Sequence, residues 1–160
     1  MTKALVAAAM VVVCALAVGP MAEAVNPHEI AISGTTTTID PGSINCVFRG
    51  PYVLNCDSTD FLTGLTGTLT GTSSTDSSLQ INCKTLQYHG HGVETFTGTL
   101  TGVGSGTLTW QLQTSGTVSD DCSDLTSFEG RGVVVSGTGV LAGLNGTLTF
   151  DADTYTGSLH

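Results

Sequence analysis

Single apolar residues alternate with threonine, serine and glycine across most of the chain after residue 24. The pattern is clearest in "FLTGLTGTLTGTSS" from Phe61, "ETFTGTLTG" from Glu94 and "GTLTWQLQTSG" from Gly106. A period of two with β-branched residues predicts strands, and apolar residues do not recur at helical spacing after residue 24. The sequence therefore predicts an all-β domain.

The same alternation assigns the two faces of each predicted strand. In the segment from Gly106, Leu108, Trp110 and Leu112 share one side, while threonine and glutamine occupy the other. We expect the apolar side to face the core. Turn residues separate the strands, and Asn145-Gly146 predicts a two-residue hairpin turn.

The first 24 residues read as a secretory signal. Lys3 is followed by an apolar run from Ala4 to Val18, then by Gly19-Pro20 and the small-residue pattern Ala22-Glu23-Ala24. A membrane-spanning helix needs about 20 apolar residues, and this run is shorter. The prediction is a signal peptide over residues 1–24, a single mature domain over residues 25–160, and a secreted protein without a membrane anchor.

The charge of the chain narrows the choice of partners. Its formal net charge is −9 at pH 7, and losing Lys3 and Glu23 with the signal leaves that value unchanged. A nucleic-acid backbone or an anionic membrane surface would be repelled. We therefore expect no nucleic-acid partner, and the oligomeric state stays open.

Four cysteines remain after the signal: Cys46, Cys56, Cys83 and Cys122. Four cysteines in an exported domain indicate two disulfides, with three possible pairings. A hairpin turning at Gly50-Pro51 places Cys46 opposite Cys56, which leaves Cys83 to pair with Cys122. A zinc site is disfavoured because no two cysteines show the close spacing of zinc ligands.

The stretch "YHGHGVETF", Tyr88 to Phe96, carries the densest candidate chemistry. His89 and His91 are two residues apart, so they share one face of a strand and could share a metal ion. Glu94 is an odd number of residues from both and falls on the opposite face, unless Gly92 makes a bulge. This ligand set is incomplete, so we expect no metal, and the three side chains remain candidates for contact with a ligand.

No catalytic set is evident. The chain has no Gly-x-Ser-x-Gly elbow, and the sequence fixes no separation between any two carboxylates. Tyr88 or Arg131 at a barrel mouth would orient the polar end of an apolar ligand. The catalytic residues are unknown, and we expect no cofactor.

Two stretches resemble a known group of proteins. "VVVSGTGVLAGLNGTLTFDADTYTG", Val133 to Gly157, looks like the closing hairpin of the allene oxide cyclase-like barrels, a group that takes in plant dirigent proteins and an uncharacterised family of small bacterial proteins. "ETFTGTLTGVGSGTLTWQLQTSG", Glu94 to Gly116, resembles the middle hairpin of that bacterial family. The resemblance implies a single eight-stranded antiparallel up-and-down barrel, calycin-like, here stabilised by disulfides.

Three functions fit these features. The first is a secreted barrel that binds a small apolar molecule or has a structural role, without covalent chemistry. The second, which the resemblance implies, is a cofactor-free cyclase or isomerase of the allene oxide cyclase or dirigent type. The third is an extracellular protein whose threonine-rich outer faces bind a surface such as ice, glycan or a partner.

Overall fold

The computed structural model describes residues 29–160 as antiparallel strands connected by turns and loops. The predicted signal peptide, residues 1–24, lies outside the described residues. The strands are β1 (Ile30–Asp40), β2 (Ser43–Phe48), β3 (Val53–Gly67), β4 (Leu69–Asn82), β5 (Gln87–Leu100), β6 (Gly104–Thr117), β7 (Glu129–Gly139), β8 (Gly146–Asp151) and β9 (Thr154–Leu159). No helix in this part of the chain is long and apolar enough to cross a membrane.

The strands form one sheet that closes into a ring. From β2 to β9 each strand pairs with the next along the chain, and β1 pairs with both β9 and β3. All of these pairings are antiparallel, so the all-β antiparallel prediction is confirmed. Strands that are neighbours in sequence are neighbours in the sheet, which is the arrangement that short connections favour.

The ring contains nine strands rather than the predicted eight. The difference arises at Pro41-Gly42, where Gly42 has a φ of +63°. The strand is interrupted there, because proline cannot donate a ladder hydrogen bond and glycine tolerates this backbone conformation. As a result, β1 and β2 pair with successive halves of β3, at Leu62–Gly67 and Leu54–Thr59 respectively.

In β1 and in β3 to β9 the alternation places one face of the strand inside the ring, whereas β2 is exposed along its whole length. Leu108, Trp110 and Leu112 are all buried, as their spacing predicts. They belong to a core of residues that fills one end of the ring: Ile32, Leu65, Leu69, Phe96, Leu100, Leu108, Trp110, Leu112, Val134, Leu141, Leu148, Phe150, Tyr155 and Leu159. Burial of this apolar surface is the main force that holds the ring together.

Both predicted disulfides are present. Cys46 and Cys56 face each other across the β2–β3 hairpin, and Cys83 is bonded to Cys122. The second bond joins the β4–β5 turn to the long connection between β6 and β7. Each disulfide therefore fixes a segment at the end of the ring that lies away from the main core.

The predicted two-residue turn at Asn145-Gly146 is wrong. Residues 140–145 connect β7 to β8, and the main chain of Asn145 exchanges two hydrogen bonds of 2.9 Å with His160. Leu141 in this connection is fully buried, so the segment folds over the end of the core instead of turning tightly. The short turn is at Ala152-Asp153, between β8 and β9.

Candidate ligand-binding cavity

Strand β5 places Glu94 inside the ring. Its pairing with β4 and β6 runs without a register shift, so Gly92 makes no bulge. Glu94 is 5% exposed, while His89 and His91 lie on the exposed face of the same strand. In a regular strand side chains alternate between faces, so Glu94 cannot share a metal ion with the two histidines.

Two hydrogen bonds hold the buried carboxyl group of Glu94. The Ser73 hydroxyl donates to Oε1 at 2.5 Å, and Trp110 Nε1 donates to Oε2 at 3.0 Å. Ser73 and Trp110 are themselves buried, at 1% and 0% exposure. The two donors come from the strands that flank β5. Trp110 on β6 is the register partner of Glu94, and Ser73 on β4 lies two residues before the other register partner, Thr75.

Burial raises the pKa of Glu94, and the hydrogen bonds from Ser73 and Trp110 offset part of that rise. The direction follows from the cost of placing a charged carboxylate where water is excluded. No lysine, arginine or histidine is among the residues around the cavity that Glu94 borders. The carboxyl group therefore has two donors, and none of the residues that line the cavity carries a positive charge.

Glu94 borders a cavity of about 340 Å³ inside the ring. Most of the wall is apolar, and the rest consists mainly of serine and threonine. The lining residues are Thr36, Thr38, Ile44, Cys56, Ser58, Phe61, Thr63, Thr75, Ser77, Leu79, Tyr88, Glu94, Leu112, Thr114, Leu125, Phe128, Phe150 and Ala152. A volume of this size is at the lower end of the range for small-molecule sites, about 300 to 1,000 Å³.

Two hydroxyl groups in the wall have no hydrogen-bond partner within residues 29–160. They are Ser58 Oγ and Thr114 Oγ1, and both atoms are buried. Ser58 is 8% exposed. Buried polar atoms are nearly always paired, so these two hydroxyls are exceptions within the cavity wall.

Tyr88 lies in a second apolar cluster at the cavity end of the ring, with Cys56, Ile81 and Val118. It is fully buried, and its hydroxyl donates to the Ser127 carbonyl at 3.3 Å. Burial, reinforced by the negative charge of Glu129, raises the pKa of Tyr88 to about 12. Its hydroxyl therefore stays protonated at neutral pH.

The cavity opens to solvent between β2 and the connection from β6 to β7. Ile44 and Leu125 line the cavity and yet are 58% and 48% exposed, so they mark its rim. The edge of β2 that faces away from β3 pairs with none of the described strands, which leaves a gap in the wall. The Cys83–Cys122 bond anchors the segment that carries Leu125 and Phe128.

The candidate residues identified from the sequence separate into two groups. Tyr88 and Glu94 lie inside the ring and line the cavity, whereas His89, His91 and Arg131 line an open depression on the outer surface. Within residues 29–160, no group of three or more histidine, cysteine or acidic side chains is arranged to hold a metal ion. The two groups do not form one site.

Threonine hydroxyls on the outer face pair with one another across strands. Thr35 with Thr66 and Thr107 with Thr138 have oxygens 2.8 and 2.7 Å apart. Such pairs stabilise neighbouring strands of the sheet. The repeated Thr-x-Thr pattern thus has a structural explanation.

Sequence reasoning missed Ser58, Ser73 and Trp110 as polar parts of a site. A signal was available for the last two, since Glu94 has the same parity as the inward-facing Phe96 on β5. A carboxyl group on that face needs donors from the flanking strands. Which residues supply them depends on the register between strands, which the alternation within each strand does not give.

Comparison with known proteins assigns the fold without an activity. A family model described as protein of unknown function (DUF3224) matches residues 55–158. A crystal structure of a protein of unknown function from the same family, from Shewanella oneidensis MR-1, matches with a TM-score of 0.56 and 17% sequence identity. The match covers 82% of this chain and 96% of that protein. The search of curated proteins found no match.

Proposed function

The chain belongs to the DUF3224 family, and we propose that it binds a small, largely apolar molecule inside the ring without carrying out covalent chemistry. The observation that carries the proposal is the cavity, whose wall is mostly apolar but includes the buried carboxyl group of Glu94. A few polar groups in an apolar pocket are what fixes the orientation of a bound small molecule. The finer form of the proposal is that the ring is a calycin-like barrel of the allene oxide cyclase-like group, in which β1 and β2 together take one of eight strand positions.

The division of the interior supports this function. The main core fills one end of the ring, and the cavity lies between this core and the cluster around Tyr88. A protein selected only for stability gains from filling such a space, because buried voids and unpaired hydroxyls both cost free energy. A bound molecule that covers the apolar wall and meets Ser58 and Thr114 would remove both costs.

We also propose that the protein acts outside the cell. The signal-like residues 1–24 and the two disulfides support an oxidising, extracellular compartment. The excess of negative charge favours solubility there.

The experiment uses a neutral apolar fluorescent probe, N-phenyl-1-naphthylamine, titrated into the protein. Ser58→Leu fills part of the cavity and replaces a hydroxyl that has no partner, so it should weaken probe binding while the fold is kept. Ser136→Leu is the matched control, since Ser136 is exposed on β7 and lines no part of the cavity. Saturable binding by wild type and S136L, but not by S58L, is expected. Equal binding by all three proteins would contradict the proposal.

A second candidate function is supported by Glu94 and Tyr88 in the same cavity. Burial raises the pKa of Glu94, which brings a carboxyl group closer to the range of a general acid or base. A cofactor-free cyclase or isomerase of the allene oxide cyclase or dirigent type would use this group, with the cavity holding the substrate in shape. If the molecule recovered from the protein is converted to an isomer by wild type but not by Glu94→Gln, this function is supported. An unchanged molecule would leave binding as the function.

A further inference from the structure

We infer that the ligand carries an amine, bound as an ammonium group against the carboxylate of Glu94. This inference rests on the proposed function, since it names the chemical class of the molecule that the same cavity would hold. Two observations support the inference: the hydrogen-bond acceptors in the cavity wall, and the absence of a positive charge among the lining residues.

The polar groups of the wall supply acceptors. Each carboxylate oxygen of Glu94 accepts one hydrogen bond, from Ser73 or Trp110, and keeps a further lone pair. The Ser58 and Thr114 hydroxyls can each accept or donate, so they accommodate an ammonium group without selecting for it. An ammonium group has three donors and no acceptor, so it is complementary to the free lone pairs of Glu94.

The charge of the cavity wall also favours a cationic ligand. Glu94 is the only acidic residue among the lining residues, and no lysine, arginine or histidine accompanies it. A ligand with a carboxylate or phosphate would bring a second negative charge into a space without a positive one, in a chain of net charge −9. A ligand with an ammonium group would supply the counter-ion that none of the lining residues provides for Glu94.

The apolar part of the wall indicates the shape and polarity of the rest of the ligand. Phe61, Phe128 and Phe150 line the cavity, together with Leu79 and Leu112. These side chains match an apolar body, and the face of an aromatic ring also attracts a nearby cation. The inferred ligand is therefore an apolar amine small enough for a cavity of about 340 Å³.

The test compares three molecules with the same apolar body: octylamine, octanol and octanoate. Calorimetric titrations in phosphate buffer at pH 8 keep octylamine charged and avoid amine buffers that would compete. We expect octylamine to bind about tenfold more tightly than octanol or better, because a charge-assisted hydrogen bond is roughly twice as strong as a neutral one. Octanoate should bind most weakly. Trp110 is the only tryptophan and donates to Glu94, so its emission should also change when octylamine binds.

Glu94→Gln separates the charge from the shape of the site. In E94Q the preference for octylamine over octanol should disappear while octanol binding persists, and S136L should behave as wild type. Equal affinities of wild type for octylamine and octanol, tighter binding of octanoate, or an amine preference that survives in E94Q would overturn the inference and leave the proposed function standing. Failure of all three molecules to bind wild type would overturn both.

Discussion

Replacing Glu94 in two ways tests whether its carboxyl group satisfies the two buried donors. Glu94→Gln keeps the size of the side chain: its carbonyl accepts from Trp110, and its NH₂ group donates to Ser73. Glu94→Leu keeps a similar volume but offers neither a donor nor an acceptor. Both variants are uncharged, so the difference between them isolates the hydrogen bonds.

The size of that difference follows from the burial of the two donors. Trp110 is 0% exposed and Ser73 is 1% exposed, so water cannot replace the lost acceptor. An unsatisfied buried donor costs about 1 to 3 kcal/mol. E94L should therefore be less stable than E94Q by about 2 to 6 kcal/mol, toward the lower end because the Ser73 hydroxyl can rotate to another acceptor.

The assay is urea unfolding followed by far-UV circular dichroism, because substitution at Glu94 alters the emission of Trp110 itself. The free energies of unfolding are compared at one pH, with S136L as a surface control. If E94L and E94Q unfold at the same urea concentration with equal slopes, the two donors do not depend on Glu94 and the account of the site is wrong.

Comparing wild type with E94Q isolates the charge. The pKa of Glu94 is raised in the folded protein, so between the unfolded value of about 4.3 and the folded value the native state holds a proton that the unfolded chain has lost. The contribution of this proton to stability is fully present below the unfolded pKa and is lost as the pH rises through the folded pKa. Wild type should therefore lose stability relative to E94Q as the pH rises from about 4 through the folded pKa. A difference that is constant or grows with pH would contradict this reasoning.

Three further predictions concern the frame around the cavity. Replacing both cysteines of the Cys83–Cys122 bond by serine should cost about 4 kcal/mol of unfolding free energy, and the same change at Cys46–Cys56 about 3, because the first bond closes the longer loop; a larger loss at the shorter loop would contradict this. The native oxidised domain should show no reactive thiol in Ellman titration, and a reactive cysteine would contradict the two disulfides. Gly132→Val should lower the free energy of unfolding by about 1 to 3 kcal/mol, since a Cβ there lies 2.8 Å from the indole ring of Trp110 inside the core. An unchanged urea midpoint would refute that packing.

Local patterns predicted the strands because side chains in a strand alternate between the two faces of the sheet with a period of two residues. The parity of Leu108, Trp110 and Leu112 places them in the core, and the same parity separates Glu94 from His89 and His91. The disulfide pairs were also predictable, because the β2–β3 hairpin brings Cys46 opposite Cys56 and leaves one further pair.

Features that depend on contacts between distant strands were not predictable in the same way. The pairing of both β1 and β2 with β3 is long-range, and no local pattern gives it. At Asn145-Gly146 the turn preference was overridden, since Leu141 is buried and Asn145 pairs with His160. The cavity results from what the inward side chains of several strands leave unfilled, so it appears only once their register is known.

Native mass spectrometry of the protein purified from its natural source under non-denaturing conditions is the most direct test of whether the cavity holds a ligand. We expect one small organic molecule bound per chain, released when the protein is denatured, with a largely apolar body and an amine. Protein that flies only at the mass of the bare chain, under conditions that preserve the fold, would contradict a ligand-binding function.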